Sequence, residues 1–271
     1  MAGVPLKDWD IDIFRGVLTG YNDAFIINRE KRDELIKADP KSAEIIRPIL
    51  RGRDIKRYSH QFADLWLIAT FPSLKLNIDD YPSVKQHLLS FGYDRLKQTG
   101  EAGARKKTNN QWFETQDSIS YWDDFSKQKI AWGNLNLRAS YTLAEGGMFV
   151  NAPCPMIVPG NPYLLAILNS TLGDYYVRSL GVIRNGGYFE YKPMFIEQLP
   201  VPVIDQTKQK PFADLALQIL EAKKSKLKTD KLESQLDQMV FDLYKLSDDE
   251  VDYLLSGLDQ IEVTDEVDFV R

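Results

Sequence analysis

The residues best able to do chemistry in this chain are cations and amides gathered at turns. "RPILRGRDIKRY" (47–58) crowds Arg47, Arg51, Arg53, Lys56 and Arg57 into twelve positions, and cations at that density neutralise phosphates. Three further stretches set cations or amides beside turn residues and aromatics. They are "ARKKTNNQW" with Arg105, Lys106, Lys107, Asn109 and Asn110, "GNLNLR" ending on Arg138, and "VIRNGGY" with Arg184 and Asn185. Arginine can pair bidentately with a guanine edge, asparagine with an adenine edge, and aromatics can stack or wedge. "GVLTGYNDAFIIN" (16–28) compresses two glycines and a Tyr-Asn-Asp turn ahead of a strand-like run. Such a turn is expected to hold its backbone and Asn22 against a larger framework. The competing reading is that these segments are solvated polar loops on an unrelated body.

Other chemistries find less support. Asp39, Asp54 and Lys56 approximate the acid, acid-x-Lys arrangement of Mg²⁺-dependent nucleases, yet Asp39 also sits where a helix cap belongs, ahead of Pro40. "GNPYLL" invites comparison with the Asn-Pro-Pro-aromatic motif that grips a flipped base, but it has one proline and reads as an ordinary capped helix start. No glycine-rich turn links an apolar strand to a helix, so no nucleotide cofactor site is expected in this chain. One cysteine, Cys154, and two histidines, His60 and His87, supply no recognised zinc spacing and no nucleophile triad. Metal and catalytic residues are therefore expected to be absent here.

Formal net charge is −5, which would disfavour a polyanion if the charge were evenly spread. It is not evenly spread. Residues 246–271 hold nine acids and one base, so the 245 residues before them carry +3, and residues 51–110 alone hold eleven bases against six acids. No run approaches the roughly 18 apolar residues of a membrane span, and "MAGVPLKDWDID" has neither a basic start nor an apolar stretch. A cytoplasmic protein is the expectation.

These residues need elements to position them. "REKRDELIKAD" predicts a charged helix, and "DPKSAEIIRPIL" restarts one capped by Asp39 and ended by Pro48. "DLWLIATF" has the density and length of a buried strand, and "YPSVKQHLLSFGYDRLKQTG" helical spacing. Short strands separated by Gly, Asn and Pro follow over 129–158. "NPYLLAILNSTLGDYYVRSL" (161–180) predicts one strong helix capped by Asn161. After Pro211 the texture is helical to 246, with Leu232, Leu236, Met239, Val240 and Leu243 forming an amphipathic stripe, and "SDDE" (247–250) forms a capping box. The chain is expected to be α+β, with a mixed α/β body over 1–205 and a helical arm with an acidic end over 206–271.

Taken in order, "GVLTGYNDAFII", "DPKSAEIIRPILRGRDIKRY", "KTNNQWFETQDSISYWDDFSKQKIAW", "NPYLLAILNSTLGDYYV" and "FEYKPMFIEQLPVPVI" resemble the TaqI-like C-terminal specificity domains. These are the target-recognition regions of adenine-specific DNA methyltransferases and type IIG restriction-modification enzymes. The resemblance covers roughly residues 12 to 205, and "KLESQLDQMVFDLYKLSDDEVDYLL" is similar to the helical segment that follows such domains. It implies a target-recognition core that reads double-stranded DNA for a catalytic domain or subunit lying N-terminal to it. S-adenosylmethionine, and Mg²⁺ if a nuclease is fused, would belong to that catalytic part. Arg47, Arg51, Arg53, Lys56 and Arg57 are expected on phosphates. Asn22, Arg105, Lys106, Lys107, Asn109, Asn110, Arg138, Arg184 and Asn185 are the base-reading candidates. Two alternatives stay open: an adaptor docking a partner protein through the 212–246 helix, and the Mg²⁺-dependent nuclease.

Overall fold

The computed structural model describes residues 3–258, and the acidic end beyond 258 lies outside them. Two four-stranded sheets are joined through the Gly16–Asn28 segment, and the first lies between two hydrophobic cores, with Ile130, Trp132 and Ile157 in one and Ala131, Met156 and Val158 in the other. In the first sheet the antiparallel order is Tyr141–Ala144, Lys129–Trp132, Pro155–Val158, Asp12–Arg15. The second runs Phe149–Val150, Ile46–Leu50, Leu65–Ile68, Ile26–Asn28, with only the first pair parallel. Three of the first sheet's strands are buried at every residue, so their near-continuous apolar runs reflect burial on both faces.

Gly16 explains the compressed opening turn. Its N–H donates to the Cys154 carbonyl at 2.7 Å and the Val17 N–H to the Val150 carbonyl at 2.7 Å. A Cβ on Gly16 would lie 2.4 Å from the Val150 oxygen, so only glycine lets the chain cross from one sheet to the other here.

The predicted charged helix forms over Arg29–Ala38, capped by Asn28. Asp39 does cap the next turn, accepting from the Lys41 N–H and the Ser42 hydroxyl, but that turn is a short 3₁₀ helix, Pro40–Glu44. Pro48 does not end a helix; it sits inside the strand Ile46–Leu50, opposite Trp66. Burial of Ile46, Ile49 and Leu50 in the second core outweighs the local helical pattern, and the fixed φ of proline suits an extended backbone. The helix expected over 161–180 is two, Pro162–Asn169 and Thr171–Leu180. Asn161 caps the first as expected, and Ser170 breaks the run by capping the second through the Gly173 N–H at 3.0 Å.

Pro162–Asn169 is buried from Tyr163 to Asn169 and carries the first core. The helices Gln206–Lys224 and Asp230–Tyr244 lie on this core through Phe212, Leu215, Ile219, Leu236, Val240 and Phe241. Two polar ties fasten the second of them: Asp237 accepts from the Thr171 N–H and hydroxyl, both at 2.7 Å, and Glu233 accepts from Arg57 at 2.6 Å. The apolar stripe predicted here therefore faces the chain's own core. This corrects the adaptor reading, because the face that was to dock a partner is already covered. Ser247 and Glu250 form the predicted capping box. No helix among the described residues is long and apolar enough to cross a membrane.

Candidate nucleic-acid interface

A cleft of about 670 Å³ is lined chiefly by two turns and the 151–154 segment. One wall is the Arg51–Arg57 turn, which leaves the second sheet after Leu50 and crosses to the first, where the Tyr58 N–H donates to the Tyr141 carbonyl. The facing wall is the Gly133–Ser140 turn, hung from the buried strands Lys129–Trp132 and Tyr141–Ala144. Asn22, the 151–154 segment, Tyr188 and Lys223 of the helix Gln206–Lys224 complete the lining. Among the described residues, the lining contains six cations (Arg51, Arg53, Lys56, Arg57, Arg138 and Lys223), four asparagines, and no carboxylate. Four of the five stretches that the sequence marked out thus contribute to one concavity.

The six cations are not equivalent. Arg53, Lys56 and Arg138 are exposed and make no ion pair among the described residues. Arg51 bends back on its own turn: its Nε and Nη2 donate to the two oxygens of Asp54 at 2.9 and 2.8 Å, and its N–H to the same carboxylate at 2.8 Å. Hydrogen bonding to Asp54 raises the Arg51 pKa. Arg57 is a strut between cleft and arm. Its Nε donates to Glu233 at 2.6 Å and its Nη1 to the carbonyls of Asn169 and Ala139, which leaves little of the guanidinium for a phosphate. Glu233 also accepts from Lys223 at 3.0 Å and from the Thr229 hydroxyl at 2.6 Å. Burial alone would raise the Glu233 carboxyl, but Arg57, Thr229 and Lys223 hold it down at about 2.

The remaining candidates divide. Arg47 lies outside the cleft and donates to the carbonyls of Ala43, Glu44 and Ile46. Arg105 is a correction: it is 2% exposed, and its guanidinium donates at 2.8 Å to each of the carbonyls of Leu96, Thr19 and Trp112. It braces the loop that carries "ARKKTNNQW" and cannot reach a base edge. Asn110 is engaged similarly, its amide donating to the Thr115 and Gln116 carbonyls. Lys106, Lys107 and Asn109 are exposed on that loop, away from the cleft lining. Arg184 is exposed outside the cleft lining and tethered to Glu190, its Nε donating at 2.6 Å, and Asn185 is exposed at the tip of the same loop. Asn22 faces the cleft with its Oδ1 accepting from the Thr19 hydroxyl at 2.7 Å.

Sequence reasoning passed over Asn134, Asn136 and Lys223. Asn134 lines the cleft, and its Oδ1 is buried with no hydrogen-bond partner among the described residues. Buried polar atoms are nearly always paired, and this orphaned acceptor singles Asn134 out among the amides of the cleft. "GNLNLR" held the signal in its alternating asparagines, which the terminal arginine overshadowed.

The nuclease constellation does not assemble. Asp39 caps its turn and Asp54 receives Arg51, and among the described residues no group of three or more His, Cys, Asp or Glu is placed to hold a metal. Burial, with Asp54 nearby, pushes the Cys154 thiol up to about 12, so it stays protonated. His60 and His87 are taken up by Thr142 and Glu145, and by the Ala24 carbonyl, respectively.

Cations and amides without a carboxylate give the cleft the chemistry of a polyanion-binding surface. The model of the TaqI-like C-terminal specificity domain matches residues 47–201, and the chain belongs to that family. Its fold is shared with two solved enzymes. The type IIL restriction-modification enzyme MmeI, solved in complex with DNA, is 12% identical with a TM-score of 0.63, over 96% of this chain and 37% of that one. The type IIG restriction endonuclease BpuSI is 18% identical with a TM-score of 0.52, over 88% of this chain and 31% of that one. The chain thus spans about a third of each enzyme. No curated protein matches it.

Proposed function

We propose that this chain is the target-recognition part of a restriction-modification DNA methyltransferase, reading double-stranded DNA for a catalytic domain or subunit outside it. One observation carries the reading: among the described residues, the cleft gathers six cations and four amides and no carboxylate. Arg53, Lys56 and Arg138 supply phosphate contacts, with Lys223 as the arm's contribution. Asn22, Asn134 and Asn136 are the amides best placed to meet base edges. Membership of the specificity-domain family supports this assignment, as does the shared fold of an enzyme solved with DNA.

On this reading residues 1–205 form the recognition body and the helices from 206 brace it. Methyl transfer, with S-adenosylmethionine, and any Mg²⁺-dependent cleavage belong to the parent enzyme, which works in the cytoplasm. The test is selection from a random pool of duplexes with the full chain. Enrichment of one short motif, with affinity falling steeply as salt rises, is the expected result. A pool that stays random at low salt overturns the reading.

A further inference from the structure

The cleft continues into an apolar surface that phosphate binding does not explain. Residues 181–190 form a tongue: Ile183 bridges Phe189, the Arg184 N–H donates to the Tyr188 carbonyl at 2.7 Å, and Gly186 and Gly187 turn the tip at φ +77 and +78. Phe189–Glu190 in turn pairs with Leu135–Asn136 of the cleft wall, Glu190 opposite Leu135. The result is a three-stranded ribbon. Its register sets Val182, Glu190 and Leu135 in one cross-strand row, with Arg184 and Tyr188 on the same face, because side chains alternate along a strand. Leu135 and Tyr188 of this face line the cleft, as does Asn136 of the opposite one. Glu190 is buried beneath Arg184 and Lys192, while Val182 and Leu135 on either side are 50% and 51% exposed.

Half-exposed aliphatic groups flanking a neutralised ion cluster, at the rim of a cationic cleft, fit a surface that is both polyanionic and locally apolar. The B-DNA major groove is such a surface: it admits a β-ribbon, and its apolar feature is the thymine 5-methyl group. Resting on the DNA-recognition reading above, we infer that the Val182/Leu135 face of this ribbon enters the major groove and recognises thymine by contact with its methyl group. Leu135 and Val182 are then specificity residues, and the amides of the neighbouring turn read the polar edges beside them.

The probe is the duplex enriched by selection, with each thymine replaced in turn by deoxyuridine, which removes the methyl and keeps the pairing. Anisotropy titration of the full chain should show about fourfold weaker binding at one or two thymine positions, as expected for burial of one methyl group. That weakening should vanish in Leu135→Ala or Val182→Ala. It should persist in Ile183→Ala, which removes an equally apolar side chain, 65% exposed, from the opposite face. The inference is overturned if deoxyuridine is neutral at every position, if the weakening survives in both face variants, if Ile183→Ala abolishes it equally, or if the motif has no thymine on either strand. Failure to enrich any motif is a different outcome: it removes the DNA reading itself, before any thymine is tested.

Discussion

At the scale of single residues, side-chain type did not reveal whether a cation faces solvent or its own backbone. Arg105 and Arg138 sit in similar polar stretches, yet one is buried on three carbonyls and the other is exposed in the cleft. Those three carbonyls come from residues 19, 96 and 112, and their convergence is a tertiary fact with no local signature. Arg105→Ala strands all three and should destabilise the fold by on the order of 3 kcal/mol, measured by urea unfolding. A change of less than ~1 kcal/mol would mean water replaces the guanidinium easily. Asn134→Ala, by contrast, should leave stability nearly unchanged and relax preference at one base pair by roughly 1 to 3 kcal/mol. Equal weakening on every duplex would make Asn134 a positioning residue.

At the scale of elements, capping and apolar runs were the most legible features. Asn161, Asp39 and the Ser247–Glu250 box behave as their sequence suggests, because caps depend on neighbours two or three residues away. Breaks were harder. Ser170 splits a run whose apolar period hardly falters, and Pro48 lies in a strand that gains more from burial than from local preference. The tie between arm and cleft, Glu233 with Arg57, spans 176 positions and nothing local announces it. It makes a pH prediction. A carboxyl held at about 2 in the fold against 4.5 otherwise contributes its full stabilisation above about 4.5 and loses it as pH falls toward 2. Glu233→Gln should cost on the order of 3 kcal/mol at neutral pH and flatten the decline of stability between those values, as followed by thermal melts across pH. A parallel acid limb in wild type and variant would contradict the coupling.

At the scale of the whole molecule, the charge argument succeeds through distribution. Net charge is −5, yet the cleft is lined by cations alone among ionised groups of the described residues. Removing Arg53, Lys56 and Arg138 together should weaken binding to all duplexes and reduce the slope of log affinity against log salt by about 0.9 for each phosphate left without its cation. An unchanged slope would move the phosphate track elsewhere, Lys106 and Lys107 being the exposed alternative. The α+β class and the family were legible from segments in order. The cleft itself was not, because its lining runs from residue 22 to residue 223 and only the folded chain brings those positions together.

The Gly133–Ser140 turn is anchored on two strands whose every residue is buried, while Leu135 and Arg138 within it are exposed. These exposed positions can therefore drift in sequence without disturbing the strands the turn hangs from, whereas Ala139, buried in the core, cannot. A lineage could acquire a new DNA address by rewriting this turn in place, whereas transplanting it as a lone peptide would deliver one jaw without its opposite.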